Sequence, residues 1–154
     1  MSDALEGILR RLAKLEDAYE QTRPKETLTY ATGTWQPTYV GGTTAGATGY
    51  AVQVGEYTRI GRMVFGQGRV VWTSATGTGV ARISLPFAAS SITNAYGAVA
   101  LVTDNVTFAG TAPEGLIIPG AAYFELKYPV SNANAVDIAV EAAGTVFFQV
   151  SYII

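Results

Sequence analysis

The sequence predicts a mainly β protein that begins with one short coiled-coil helix. Residues 1–26 hold 11 of the 22 charged side chains, and their apolar residues follow a heptad. The other 128 residues hold the remaining 11 charges, in short apolar stretches separated by Gly-rich and Thr-rich segments. That second pattern is typical of a β-sandwich or jelly-roll-like domain. We therefore divide the chain into a helix at 1–23, a linker at 24–32 and a β-sandwich at 33–154.

The apolar residues of the first region are spaced alternately by three and four positions, as in a coiled coil. Arg11 at g and Glu16 at the following e are placed for an ion pair between parallel helices. Pro24 predicts the end of the helix, because the residue before a proline is driven out of the helical conformation. Together with Arg11 and Glu16, the predicted oligomerisation residues are Leu5, Leu12 and Tyr19 at a, and Ile8 and Leu15 at d.

Two packings of this helix are open from the sequence. The helix could lie on its own β domain, or it could form a short parallel coiled coil with identical chains. The narrow a/d stripe, with Leu9 as its one apolar addition, favours the coiled coil, because a helix on a globular core usually needs a wider apolar face. The heptad residues do not decide the number of chains.

The second region contains ten strand-like stretches. Their predicted bounds are 27–30, 50–54, 56–60, 62–73, 81–85, 95–102, 115–118, 122–127, 136–140 and 145–152. Within 62–73, residues from Met63 to Thr73 at odd positions share one face, and residues from Val64 to Trp72 at even positions share the other. Gly66 and Gly68 on the second face predict a bulge or the close approach of another backbone.

The β region has few charges with which to protect its edges. Lys127 is its only lysine after residue 26, whereas isolated β domains commonly carry Lys, Glu and Pro at edge strands. We therefore expect flanks and edges of the β domain to be buried against sister subunits.

The composition excludes several kinds of chemistry. With 0 Cys and 0 His, the chain has no disulfide, thiol nucleophile, His-ligated metal or Ser-His-Asp triad. The net charge of −2 argues against nucleic-acid binding, and no apolar run reaches the roughly 18 residues of a membrane span. The carboxylates of the β region show no spacing typical of an acid pair: Glu56, Asp104, Glu114, Glu125, Asp137 and Glu141. We predict no catalytic residue, no metal, no cofactor and no enzymatic activity.

Tyrosine is frequent in this chain, which has 9. Aromatic side chains on loops anchor protein interfaces and stack on sugar rings. The candidates for a surface or receptor contact are Tyr39, Tyr50, Tyr123 and Tyr128. Trp72 and Tyr57, in contrast, are predicted to pack in the core or between subunits.

Part of the β region resembles a known module. The segments are Gly33-Thr-Trp-Gln-Pro-Thr, Gly55-Glu-Tyr-Thr-Arg-Ile-Gly-Arg-Met-Val, Val71-Trp-Thr-Ser-Ala-Thr-Gly-Thr-Gly and Ile83-Ser-Leu-Pro-Phe. They are similar to a β module of bacteriophage tail-fibre and other virion surface proteins, with the pattern G-T-W-x-P, G-x-Y-x-R-I-G and L-P-F. The resemblance covers residues 33–87 and carries no chemistry of its own.

The resemblance implies a homotrimeric virion protein. We expect a fibre or tip that contacts a host glycan or protein, with the N-terminal helix docked on another virion protein. A capsid decoration or head fibre without a receptor shares the same sequence features, and a glycan-degrading tail spike is a third alternative. In all three cases the protein is expected in the virion, without nucleic acid and without membrane insertion.

Overall fold

A computed structural model describes residues 3–22 and 28–154. One helix, α1 (Asp3–Thr22), precedes a mainly β domain. Its ten strands are β1 (Tyr30–Trp35), β2 (Tyr39–Gly41), β3 (Thr48–Ile60), β4 (Met63–Ala75), β5 (Ala81–Ser84), β6 (Gly97–Asp104), β7 (Glu114–Ile117), β8 (Tyr123–Tyr128), β9 (Val136–Asp137) and β10 (Gly144–Ile153). The predicted helix and the predicted β class are both confirmed. Residues 24–27 of the predicted linker, including Pro24, lie outside the described residues, and β1 already begins within that linker at Tyr30.

The strands form one antiparallel sheet in the order β1-β3-β4-β10-β6-β7-β8-β5-β2, and β9 pairs with β8. The first and last strands of this order, β1 and β2, are separated in the chain by residues 36–38 alone. The sheet therefore has to curl until its two ends meet. Hydrogen bonds join β2 to β3, the neighbour of β1: Tyr39 N donates to the Tyr50 hydroxyl at 2.7 Å, and Thr48 Oγ1 donates to the Tyr39 carbonyl at 2.8 Å.

The core lies on the inner face of this curl, and side chains from distant strands meet there. The rings of Tyr39 on β2 and Trp72 on β4 stack with centroids 3.9 Å apart. Phe124 on β8 lies 5.2 Å from Phe148 on β10. Both Trp72 and Phe124 are fully buried, and Trp72 thus has the core position that its sequence predicts.

The alternation predicted for 62–73 is confirmed on β4, where Val64, Val70 and Trp72 are buried and Phe65 is exposed. Gly66 and Gly68 do not form the predicted bulge, since β4 keeps an uninterrupted register with both neighbours there. The alternative, the close approach of another backbone, is confirmed at Gly68, where a Cβ would lie 2.8 Å from the Val54 carbonyl oxygen of β3 and 2.5 Å from the Phe148 ring. The register shifts of the β3–β4 pair occur at Tyr50.

The predicted break between 50–54 and 56–60 is wrong, because β3 runs through Gly55 without interruption. A Cβ on Gly55 would lie 2.6 Å from the Trp35 ring. Gly55 is therefore a packing residue and not a turn. The turn comes at Gly61, whose φ of 59° lies in the left-handed region that favours glycine. Strand β2 was not predicted, and only two residues of the predicted strand 136–140 are strand.

Candidate functional site

The first candidate site is the apolar stripe of α1. All residues from Asp3 to Gln21 are exposed in the single chain, and the a and d residues are between 42% and 67% exposed. The β domain therefore does not cover the stripe, and Leu9 beside it is also exposed. This favours the coiled coil over packing on the chain's own domain. The role of Arg11 and Glu16 in an ion pair between helices stays a prediction, because it needs a second chain.

The second candidate site is the outer face of the sheet, which we define as the outward side chains of β3, β4, β10 and β6. Cross-strand pairs arrange them in rows. One row runs Val54, Arg69, Phe147, Val102, and the next runs Glu56, Gln67, Gln149, Ala100. The large apolar side chains exposed on this face are Val54, Ile60, Phe65, Val102, Phe147 and Ile153. The outer face therefore places six large apolar side chains in water when the chain is alone.

Charge is sparse on the outer face. Arg69 lies over the Phe147 ring, with its guanidinium carbon 5.0 Å from the ring centroid. Within residues 3–22 and 28–154, neither Glu56 nor Arg69 forms a hydrogen bond or ion pair through its side chain. Both charges are thus available to a partner.

A second group of charged side chains, on β5, β8 and β9, forms ion pairs within the chain. Glu125 on β8 is buried, and its Oε1 accepts hydrogen bonds from Arg82 Nε at 3.1 Å and Arg82 Nη2 at 2.7 Å. Lys127 Nζ lies 3.1 Å from Glu125 Oε2 and also forms an ion pair with Asp137. Burial by itself lowers the pKa of Lys127, but its hydrogen bonds to Asp137 and Glu125 and their charges together raise it above 10.5. Two of the carboxylates that the sequence could not place, Glu125 and Asp137, are therefore held by one lysine.

The four candidate tyrosines do not form one surface. Tyr39 is fully buried, and its hydroxyl accepts a hydrogen bond from Glu141 N at 3.0 Å, so the predicted receptor contact is wrong for Tyr39. Tyr50 is half-buried, and its hydroxyl is used by the Tyr39 backbone. Tyr123 and Tyr128 lie on opposite faces of β8 by alternation, Tyr123 under the Arg82 guanidinium at 4.3 Å and Tyr128 beside Phe108.

The residues that carry the virion-module resemblance converge on one cluster. Trp35 donates a hydrogen bond from Nε1 to the Ser84 carbonyl at 3.2 Å and packs against Tyr57. Tyr57 makes an edge-on contact with Phe87 at 5.0 Å, and the Arg59 guanidinium lies 5.9 Å from the same Phe87 ring. The cluster joins β1, β3 and the segment after β5. Its function is structural, since it holds the two ends of the curled sheet in place.

Comparison with protein families, with curated proteins and with solved structures finds no significant match to this chain. In the part of the chain that the structure describes, no group of three or more acidic side chains is arranged to hold a metal ion. The one described helix is not apolar enough to cross a bilayer.

We expect the folded chain to lose stability between about pH 10 and pH 12. Burial raises the pKa of Tyr39 and of Tyr152 to about 12, whereas an unfolded tyrosine ionises near 10. Above pH 10 the unfolded chain therefore releases protons that the folded chain keeps, and the free energy of unfolding falls. Each such tyrosine contributes up to about 1.4 kcal/mol per pH unit in this window. Lys127, whose pKa is also raised, acts in the same direction.

Urea unfolding at pH 8 and pH 11 measures this loss. Tyr39→Phe should lose less stability between the two pH values than the unchanged chain. The matched change Tyr96→Phe, at an exposed phenol, should leave the loss unaltered. An equal loss in all three proteins contradicts the assignment to Tyr39.

Proposed function

We propose that this chain is a homotrimeric structural protein of a bacteriophage virion, displayed on the particle as a fibre or tip that contacts the host surface. The observation that carries self-association is the exposed a/d stripe of α1, which can be buried only by a partner. The virion assignment and the number of three chains rest on the resemblance of residues 33–87 to tail-fibre modules. We also propose that the curled sheet is a jelly-roll-like sandwich, supported by the contacts of β2 with β4 and of β8 with β10 across the core.

The residues of the resemblance are used to pack Trp35, Tyr57 and Phe87 together. We propose that the N-terminal helix, whose residues Asp3 to Gln21 are all exposed, also contacts the virion protein that anchors the trimer.

Two measurements test this proposal. Light scattering of the purified chain at micromolar concentration should give the mass of three chains, and the mass of one chain contradicts self-association. Electron microscopy of phage particles with a gold-labelled antibody against the chain should show label at the distal end of the tail. Label on the capsid supports decoration instead of the fibre, and particles without label overturn the virion assignment.

A further inference from the structure

We propose that the outer face of β3, β4, β10 and β6 is the surface through which the β domains of neighbouring copies pack around the axis of the coiled coil. The inference rests on the self-association proposed above and adds which surface of the β domain is used. The occupant is a second copy of this chain.

The apolar content of the outer face is the first argument. Val54, Phe147 and Val102 belong to one cross-strand row. Phe65 lies on the same face of β4 as Arg69, four residues before it. Between them lie uncharged Gln67, Gln149 and Ala100. A shallow depression of about 570 Å³ lies over these rows. Large contiguous apolar patches on a soluble protein mark contact sites.

The size of the face is the second argument. Four strands at about 4.8 Å spacing are about 20 Å wide, and eight or more residues at about 3.3 Å each are about 30 Å long. The projected area is therefore about 600 Å², before the relief of the side chains is added. This is close to the roughly 800 Å² per partner that a specific protein interface buries.

Charge complementarity is the third argument, and it selects a second copy as the partner. The face carries two acids, Glu56 on β3 and Asp104 at the end of β6, and one base, Arg69 on β4, and none of the three forms an ion pair within the described part of the chain. A surface that carries unpaired charges of both signs can pair with a copy of itself. The opposite part of the sheet differs, because Arg82 and Lys127 are paired with Glu125 and Asp137 within the chain.

The short connection to the helix is the fourth argument. Five residues, 23–27, separate α1 from Leu28, so the end of the helix and Leu28 are at most about 22 Å apart in any conformation. Helices joined in a coil therefore hold their β domains side by side, at a millimolar or higher effective concentration. Under that condition even a modest interface is occupied.

A cysteine-labelling experiment on the full chain tests the proposal, because the chain has 0 Cys and a single introduced thiol is unique. Phe147 and Val136 are 39% and 40% exposed in the single chain, but only Phe147 lies on the outer face. Phe147→Cys and Val136→Cys form a matched pair, alkylated by iodoacetamide under reducing conditions at micromolar concentration. We expect Phe147→Cys to react at least about tenfold more slowly in the native assembly, and both to react equally in 6 M guanidinium.

Each outcome decides between the two proposals. Equal native rates in a chain that sediments as an oligomer overturn this inference and leave the proposed self-association intact. A single-chain mass for the unchanged protein overturns both. If Phe147→Cys itself lowers the sedimenting mass while the far-ultraviolet circular dichroism is unchanged, the outer face is part of the interface and the inference is supported. Val102→Cys on β6, compared with the same Val136→Cys control, should repeat the protection.

Discussion

Leu12→Asp is expected to convert the assembled chain into single subunits at micromolar concentration. Leu12 occupies the central a position of the heptad and is 50% exposed in the isolated chain, so its burial depends on a partner helix. Burying one leucine contributes about 2 kcal/mol, and three copies at the seam contribute about 6 kcal/mol. The introduced carboxylates add repulsion and the cost of removing charge from water. The loss weakens association by at least ~1,000-fold.

Ala13→Asp is the matched control for this change. It introduces the same side chain and the same change of one charge in the same turn of α1, but at a b position outside the stripe. The cost in helix propensity is similar for both variants. Sedimentation equilibrium should show dissociation for Leu12→Asp alone. If both variants keep the mass of the unchanged oligomer, the stripe of α1 is not the seam.

Trp72→Ala is expected to lower the free energy of unfolding by about 3–5 kcal/mol, the range typical of a buried tryptophan. Trp72 is 1% exposed and stacks on Tyr39, which ties β4 to the opposite end of the sheet order. Its Nε1 also donates to the Glu141 carbonyl at 2.9 Å, so the variant leaves that acceptor unsatisfied. Such a loss is a large part of the 5–15 kcal/mol by which domains are usually stable.

Urea unfolding at one fixed protein concentration measures this effect, since the stability of an oligomer depends on concentration. Thr73→Ala, at the exposed neighbouring position of β4, removes only an exposed hydrogen bond to the Gly49 carbonyl at 3.4 Å and should change the free energy of unfolding by no more than about 1 kcal/mol. Trp72→Phe keeps an aromatic ring against Tyr39, so its loss in free energy of unfolding should lie between those of Thr73→Ala and Trp72→Ala. It can be compared with Thr73→Ala even if Trp72→Ala does not fold. An equal effect of all three changes contradicts the role assigned to Trp72.

The periodic parts of the fold were predictable because a repeating pattern reports one local geometry. The three-four spacing of the heptad placed α1, and the alternation from Met63 to Thr73 placed the two faces of β4. Both patterns are properties of neighbouring residues along the chain, so no distant contact is needed to interpret them.

The structural positions of Gly55 and Tyr39 were predicted wrongly, because residues of distant strands form the surroundings of both. Gly55 was predicted to separate two strands, because glycine is common in turns. In the structure the Trp35 ring of β1 leaves no room for a side chain at this position of β3. Tyr39 lies two residues after Pro37, in a segment whose sequence predicts a loop. In the structure the curl of the sheet places the Tyr39 ring over Trp72. Neither contact has a signature in the local sequence.

The amino-acid sequence by itself determined the division into a charged heptad helix and a charge-poor β domain, since both follow from local composition and spacing. The tertiary structure decided which apolar side chains remain in water. Val54 and Val102 are far apart in the chain, and the pairing of β3, β4, β10 and β6 brings them onto one face. It likewise decided which charges are neutralised, because Arg82 meets Glu125 only where β5 pairs with β8. Both are consequences of strand register, which long-range hydrogen bonding sets.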